Sequence, residues 1–208
     1  AGQAGAKVFV RINTESATED ATAAAGADGL YVPKASRARI EALATDGPNL
    51  PLFALVEDPM ALLDVAAIAA HSAVSGLAAG GEDLATALGA VPDPDVLRMP
   101  KLLIHYAAKA HGKLSLGLFR SIADYADLSA IEHAAKEARR HGFDGASCVH
   151  PSAVPILNAV FAPTSEELDW AHRVLATAET NKAGAFRVDG RMIDAPIIAR
   201  ARSILSQT

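Results

Sequence analysis

The chain has 208 residues, half of them apolar and 21% charged, enough for one ordinary domain with its own core and too apolar for a disordered chain. Nineteen Lys and Arg against 24 Asp and Glu leave a formal charge of −5, so there is no basic footprint for a polyanion and nucleic-acid binding is disfavoured. The single cysteine, Cys148, excludes an intrachain disulfide framework and a Cys-rich zinc site, and no apolar run approaches the roughly 20 residues that span a bilayer.

Ala1 to Lys7 lacks the apolar stretch of a signal peptide, so a cytoplasmic protein is expected. Residues 7–13 (KVFVRIN) read as a strand with a polar end. Glu19 to Ala25 reads as a helix that Gly26 can stop. Leu30 to Val32 is a short apolar run closed by Pro33. Ser36 can cap a helix through Ala44 with Ile40 and Leu43 on one face. Leu52 to Val56 (LFALV) is continuously apolar, as in a strand buried on both faces. Asp58 and Pro59 then open a helix to about Ala70. Val74 to Ala79 repeats the strand signal. A helix from about Asp95 to Ala110 follows, then a weaker strand at Ser115 to Phe119. Leu128 to His141 is helical, with Gly142 as its stop. Gly145 to Val149 is expected as a last short strand.

Six strand-helix units in series argue for an α/β fold with a parallel sheet. Their order does not separate a barrel from a doubly wound sheet. No Gly-rich phosphate motif follows any strand. Ser165 to Ala178 is an amphipathic helix, Asn181 to Gly190 a loop with a strand-like FRV, and Ala195 to Leu205 a last helix. This tail reads as an appendage to the repeat.

Ligands of parallel α/β folds sit at the C-terminal ends of the strands, so the polar residues that close each apolar run are the candidates. These are Arg11 and Asn13, Lys34, Glu57 and Asp58, Glu82 and Asp83, and His150. Glu57 and Asp83 lie on neighbouring units, and two hard oxygen ligands from adjacent strands suit Mg²⁺. Arg11 on the same rim could hold a carboxylate or a developing enolate. Each has a plainer reading. Acids at 57, 58, 82 and 83 also suit helix N-termini, with Asp58 the better cap and Glu57 the better site residue. Arg11 could be a rim ion pair, Lys34 simply solvated, and His150 a turn residue. Cys148 reads as a small core residue, and Met192 and Ile193 as packing, whereas Asp194 is not obviously needed for it.

VFVRIN, GADGLYVPK, FALVED, VSGLAAGGEDLATALG, HGFDGASCVHPSAV and DGRMIDAP occur in this order over nearly the whole chain. Together they resemble the citrate lyase β-subunit-like branch of the HpcH/HpaI aldolase superfamily. The resemblance implies a (β/α)₈ TIM barrel of the phosphoenolpyruvate-binding type over residues 1–163, with a C-terminal helical lid over 164–208, assembled as a homotrimer or hexamer. It implies Mg²⁺-dependent cleavage or formation of a C–C bond beside a CoA thioester, with citramalyl-, malyl- or citryl-CoA as substrates. Carried over by motif, Glu57 and Asp83 are the Mg²⁺ ligands. Arg11 is catalytic and binds the keto acid, Gly81 and Glu82 contact substrate, and Asp194 is an acid/base on the lid. A class II-type aldolase acting on free hydroxy-keto acids, and a non-catalytic keto-acid-binding homologue, are the alternatives.

Two departures stand out. Chains of that family usually begin with a strand carrying an RS-x-L-x-x-PG-like motif and a second reading like LDLEDAV, and neither occurs here. The sequence starts just before what should be the third barrel strand, so it is expected to lack an N-terminal segment comprising the first two βα units. Pairing with another chain and a shortened homologue are the alternatives. Asp58 also stands where the family more often has Thr.

Overall fold

The apolar run Leu52 to Val56 forms the strand on which the rest of the sheet is hung. The computed structural model describes residues 5–121, 123, 125–181 and 185–207. Five strands, β1 (Phe9–Arg11), β2 (Gly29–Val32), β3 (Leu52–Val56), β4 (Val74–Ala79) and β5 (Leu114–Leu116), form one wholly parallel sheet in sequence order. Helices fill the connections: α1 (Ala17–Ala23), α2 (Arg37–Asp46), α3 (Pro59–Leu63), α4 (Val65–Ala70), α5 (Gly81–Leu88), α6 (Pro94–Ala110) and α7 (Leu128–His141). A doubly wound sheet reverses its strand order at a switch point; this one does not, so its winding is of the barrel type.

The pleat sorts the strand side chains into two faces. Leu30, Val32, Leu52, Ala54, Val56 and Leu77 join Ile40, Leu43, Ile68 and Ile104 of the helices in a fully buried core. The opposite face carries Phe9, Tyr31 and Phe53. Phe53 stacks on Tyr31 at 5.1 Å and meets Phe9 edge-on at 6.4 Å. Two of these rings lie over glycines directly across the ladder, Phe9 over Gly29 and Phe53 over Gly76. A Cβ at Gly29 or Gly76 would come within 2.3 or 2.2 Å of those rings. Phe143 covers Gly117 in the same way, at 2.6 Å.

Three expectations need correction. The strand over 145–149 is not formed: only Gly145 bridges to Leu116, with Gly117 N–H on the Gly145 carbonyl at 2.9 Å. A glycine start and the turn into Pro151–Ala153 leave that segment too short for a ladder. β5 ends at Leu116, not Phe119: beyond the Gly117 N–H, which bonds the Gly145 carbonyl, no partner ladder continues among the described residues. The single helix expected to Ala70 is broken in two at Asp64, which leaves helical geometry at φ −97°, ψ 9°.

The chain divides into two compact units, Ala1–Leu157 and Asn158–Thr208, the division falling within α8 (Val154–Phe161). In the second unit α9 (Ser165–Thr180) starts with a reciprocal capping box between Thr164 and Glu167. It packs with α10 (Ala195–Leu205) and a hairpin, β6 (Phe186–Val188) and β7 (Arg191–Ile193), around Val174, Phe186, Ile193 and Ala201. The expected FRV strand is present, and RMI, expected only as packing, pairs with it. The hairpin turn, Asp189–Gly190, has both central residues at positive φ, as a two-residue primed turn demands. Among the described residues no helix is long and apolar enough to cross a membrane.

Candidate active site

Each strand of the sheet delivers its last residues to one end, and there a cavity of about 410 Å³ opens. Arg11 closes β1, Tyr31 lies one residue from the end of β2, Glu57 follows β3, and Gly80 follows β4. Gly81, Glu82 and Asp83 form the first turn of α5 and line the same cavity. Strand ends point to Arg11, Glu57, Glu82 and Asp83 and the family resemblance adds Gly81; all five line this one cavity. Asp194 belongs to the second unit, where it precedes α10 without a side-chain capping bond.

Glu57 is the buried group of the set, 4% exposed. Its Oε2 accepts the Lys34 backbone N–H at 2.5 Å, and its Oε1 lies 3.8 Å from Arg11 Nη2. Burial pushes the Glu57 carboxyl above the usual carboxylate range. The Lys34 amide and the Arg11 charge pull it down, while the neighbouring Asp83 carboxyl pushes it up. Asp58, by contrast, caps α3 through Oδ1 on the Ala61 N–H at 2.8 Å. Glu82 accepts a short hydrogen bond from the Ser121 hydroxyl.

Two converging carboxylates, one of them buried, repel each other unless a proton or a cation sits between them. Among the described residues no third His, Cys, Asp or Glu joins them in a metal-binding cluster. That donor set fits Mg²⁺, which keeps several waters and commonly takes one or two carboxylates plus substrate oxygens. A pH dependence follows. A folded-state pKa raised above the unfolded value means that the folded protein binds the extra proton. Without metal, stability is therefore lost as pH rises from the ordinary Glu range through the elevated Glu57 pKa. Thermal unfolding of metal-free protein should show this loss, Glu57→Gln should flatten it, and Mg²⁺ should oppose it on the high-pH side.

Glycine at 80 is a steric requirement of the Glu57 rotamer. A Cβ there would lie 2.4 Å from Glu57 Cγ and 2.7 Å from Oε1. Gly80→Ala is expected to cost about 1–3 kcal/mol of stability as an overpacked site. It should also weaken Mg²⁺ binding, measured by calorimetry, by displacing that carboxylate.

Several lining residues were not anticipated. Tyr31 reaches towards Ser147, hydroxyl to hydroxyl at 3.4 Å, and burial raises its pKa. Lys101, 7% exposed on α6, donates to the carbonyls of Leu118 at 2.7 Å and Arg120 at 3.1 Å, and burial lowers its pKa to about 8. Lys34, a rim candidate by sequence, keeps its side chain exposed, in line with its plainer reading, while its backbone serves Glu57. Cys148 lies half-buried on the cavity wall, not in the core. His150 is a turn residue: Nδ1 accepts the Ser152 N–H at 3.3 Å, and the ring stacks on Tyr125 at 4.9 Å.

A parallel α/β sheet with paired acids and an arginine at its C-terminal rim defines the class of protein: an enzyme scaffold for oxyanion or metal-assisted chemistry. Residues 1–151 match HpcH/HpaI aldolase/citrate lyase, and the chain belongs to that family, as its motifs lead one to expect. It is homologous to the citrate lyase β and malyl-CoA enzymes there. A (3S)-malyl-CoA thioesterase of Cereibacter sphaeroides is 38% identical over 195 residues, 90% of this chain and 67% of that protein. A citrate lyase subunit beta-like protein of Mycobacterium tuberculosis is 34% identical over 212 residues, 96% of this chain and 75% of that one. Among solved structures, CitE of M. tuberculosis in complex with magnesium, acetoacetate and coenzyme A superimposes with a TM-score of 0.76 at 32% identity. That match covers 96% of this chain and 76% of the other.

Proposed function

We propose that this chain carries a Mg²⁺-dependent carbon–carbon lyase site for a 3-hydroxyacyl-CoA, such as citramalyl-, malyl- or citryl-CoA, giving acetyl-CoA and a keto acid or running in reverse. The observation that carries this reading is the Glu57–Asp83 carboxylate pair beside Arg11 at one strand rim. The likeness to a CitE protein in complex with magnesium, acetoacetate and coenzyme A supports it. Five strands in unreversed order also support a (β/α)₈ barrel, with β1 taking the place of its third strand and residues 164–208 serving as a lid. A homotrimer or hexamer belongs to the same reading. Exposed Met60 and Leu63 on α3, and Met99 and Tyr106 on α6, give apolar surface for it.

In this mechanism Glu57 and Asp83 hold the ion. When bound, Mg²⁺ supplies Lewis-acid polarisation of the substrate's hydroxyl and carboxylate oxygens. Arg11 orients the acid end and offers positive charge where oxygen charge develops. The C–C bond beside the hydroxyl-bearing carbon breaks, the hydroxyl proton passes to solvent water, and a carbonyl forms. The bonding pair passes to the thioester as its enolate. Asp194 is the proposed acid that protonates the enolate carbon and, in reverse, the base that removes that proton. The Gly81 and Glu82 amides open α5, where backbone N–H groups suit a substrate carboxylate.

A second reading, hydrolysis of the thioester, is favoured by the 38% identity to a malyl-CoA thioesterase. Product analysis separates the two. Incubation with the acyl-CoA panel, with and without EDTA, is expected to release keto acid and acetyl-CoA in equal amounts. Free CoA with the intact hydroxy acid and no keto acid would instead establish hydrolysis. Neither product from any thioester would remove the enzymatic reading.

A further inference from the structure

The backbone amide that holds Glu57 comes from an unusual place. Lys34 has φ 44°, a left-handed conformation that side chains with a Cβ rarely adopt. Its N–H belongs to the same peptide unit as the Pro33 carbonyl, and in a trans peptide these two groups point in opposite directions. The N–H points at Glu57 Oε2. The Pro33 carbonyl, on the far side, accepts Arg39 Nη1 at 3.1 Å, and the Lys34 carbonyl accepts the same nitrogen at 3.0 Å. One guanidinium therefore pins the peptide before Lys34 and the peptide after it. Arg39 is itself fixed, since it is the third residue of α2 and its N–H donates to the capping Ser36 Oγ at 3.2 Å.

We propose that Arg39 is a positioning residue of the active site: it sets the direction of the Pro33–Lys34 peptide, whose N–H holds the Glu57 carboxylate. Without the guanidinium, the Pro33 carbonyl loses the cation that anchors it, and the hold on Glu57 rests on the Lys34 N–H bond alone; a flip of that peptide would turn a carbonyl oxygen towards Glu57 in place of the N–H. A cation on the carbonyl also polarises the peptide, so its N–H donates more strongly to the acid. Glu57 is thus gripped from one side by the relay and bounded on the other by the clearance at Gly80. The consequence for metal affinity rests on the reading of Glu57 as a Mg²⁺-holding residue; the consequence for the peptide does not.

The experiment has a metal-free arm and a metal arm. In the first, amide hydrogen exchange is followed by NMR in the full chain without metal. Arg39→Ala is expected to speed exchange of the Lys34 amide at least about tenfold. The Leu30 amide, bonded to the Pro51 carbonyl in the sheet, should stay protected and so reports an intact fold. Arg39→Lys should lie between wild type and alanine, because its ammonium can reach the carbonyls less completely. In the second arm, Mn²⁺ binding is titrated by EPR. Arg39→Ala should raise the dissociation constant about tenfold, the lower end of what supporting residues around a metal site contribute. A purely structural defect would lower the bound fraction without moving that constant. Arg37→Ala, an exposed neighbour on α2, should match wild type in both arms. Wild-type Lys34 exchange in folded Arg39→Ala overturns the proposal. Should that variant fail to fold, Arg39→Lys and Arg39→Gln carry the same test. Unchanged Mn²⁺ affinity in Glu57→Ala would instead overturn the metal reading and leave the exchange result to decide the relay.

Discussion

Glu57→Ala or Asp83→Ala is expected to abolish Mg²⁺-dependent keto-acid release, by about 10³-fold or more, while the protein stays folded. The two carboxylates are the converging anionic donors of the rim, and removal of either leaves a single acid that no longer makes a chelating pair. Folding should survive for a physical reason. Burial holds the Glu57 carboxyl above the usual carboxylate range, so its truncation relieves a desolvation penalty that offsets the lost bond to the Lys34 amide. Circular dichroism and thermal unfolding establish the fold, and keto-acid release over a Mg²⁺ titration reads the site. Wild-type activity in both variants over the whole titration would remove these residues from the metal site.

Arg11→Lys is expected to cost about 10²-fold in kcat/KM, close to the loss for Arg11→Ala. The Arg11 side chain is 62% exposed, and its nearest acid is 3.8 Å away, too far for a hydrogen bond. Its planar fork is therefore open to the cavity and free to take a carboxylate in two parallel bonds. A lysine keeps the charge and loses the fork. If the fork binds the acid end of the substrate, KM rises with the loss; if it acts only on charge developing in the transition state, kcat falls alone. Near-normal kinetics in Arg11→Lys would show that a point charge suffices.

The sequence was most readable where burial is two-sided. LFALV and VSGLAA gave β3 and β4 because a central parallel strand is apolar on both faces, and Leu128 to His141 gave α7 because Gly142 stops it at φ 93°. Gly145 to Val149 failed because apolar content says nothing about whether a neighbour is in register to pair. RMI on its own reads as packing, and only Asp189–Gly190, a strong hairpin signal, points to β7. At the site, strand ends pointed to Arg11, Glu57 and Asp83. Lys101 escaped because it sits midway along a helix whose pattern records an apolar face, not which cavity that face overlooks. The Lys34 amide could not have been found from residue identity at all, since every residue but proline carries one. The size and chemistry of Cys148 suit a core position, and only the fold shows that its segment runs along a cavity.

The rings over Gly29, Gly76 and Gly117 bear on how this chain can diverge. At each place the aromatic occupies the volume that a neighbour's Cβ would need, so a side chain at the glycine is harmful while the ring remains, and loss of the ring alone leaves a void. The two members of a pair are thus strongly non-additive, and most single-step paths away from them pass through a less stable intermediate. Because Phe53 is also stacked against Tyr31, exchange of Phe53 and Gly76 for a medium-sized pair would withdraw support from a cavity-lining ring. Epistasis beneath the cavity therefore constrains the lineage: new substrate preferences are reached more readily through its walls than through its floor.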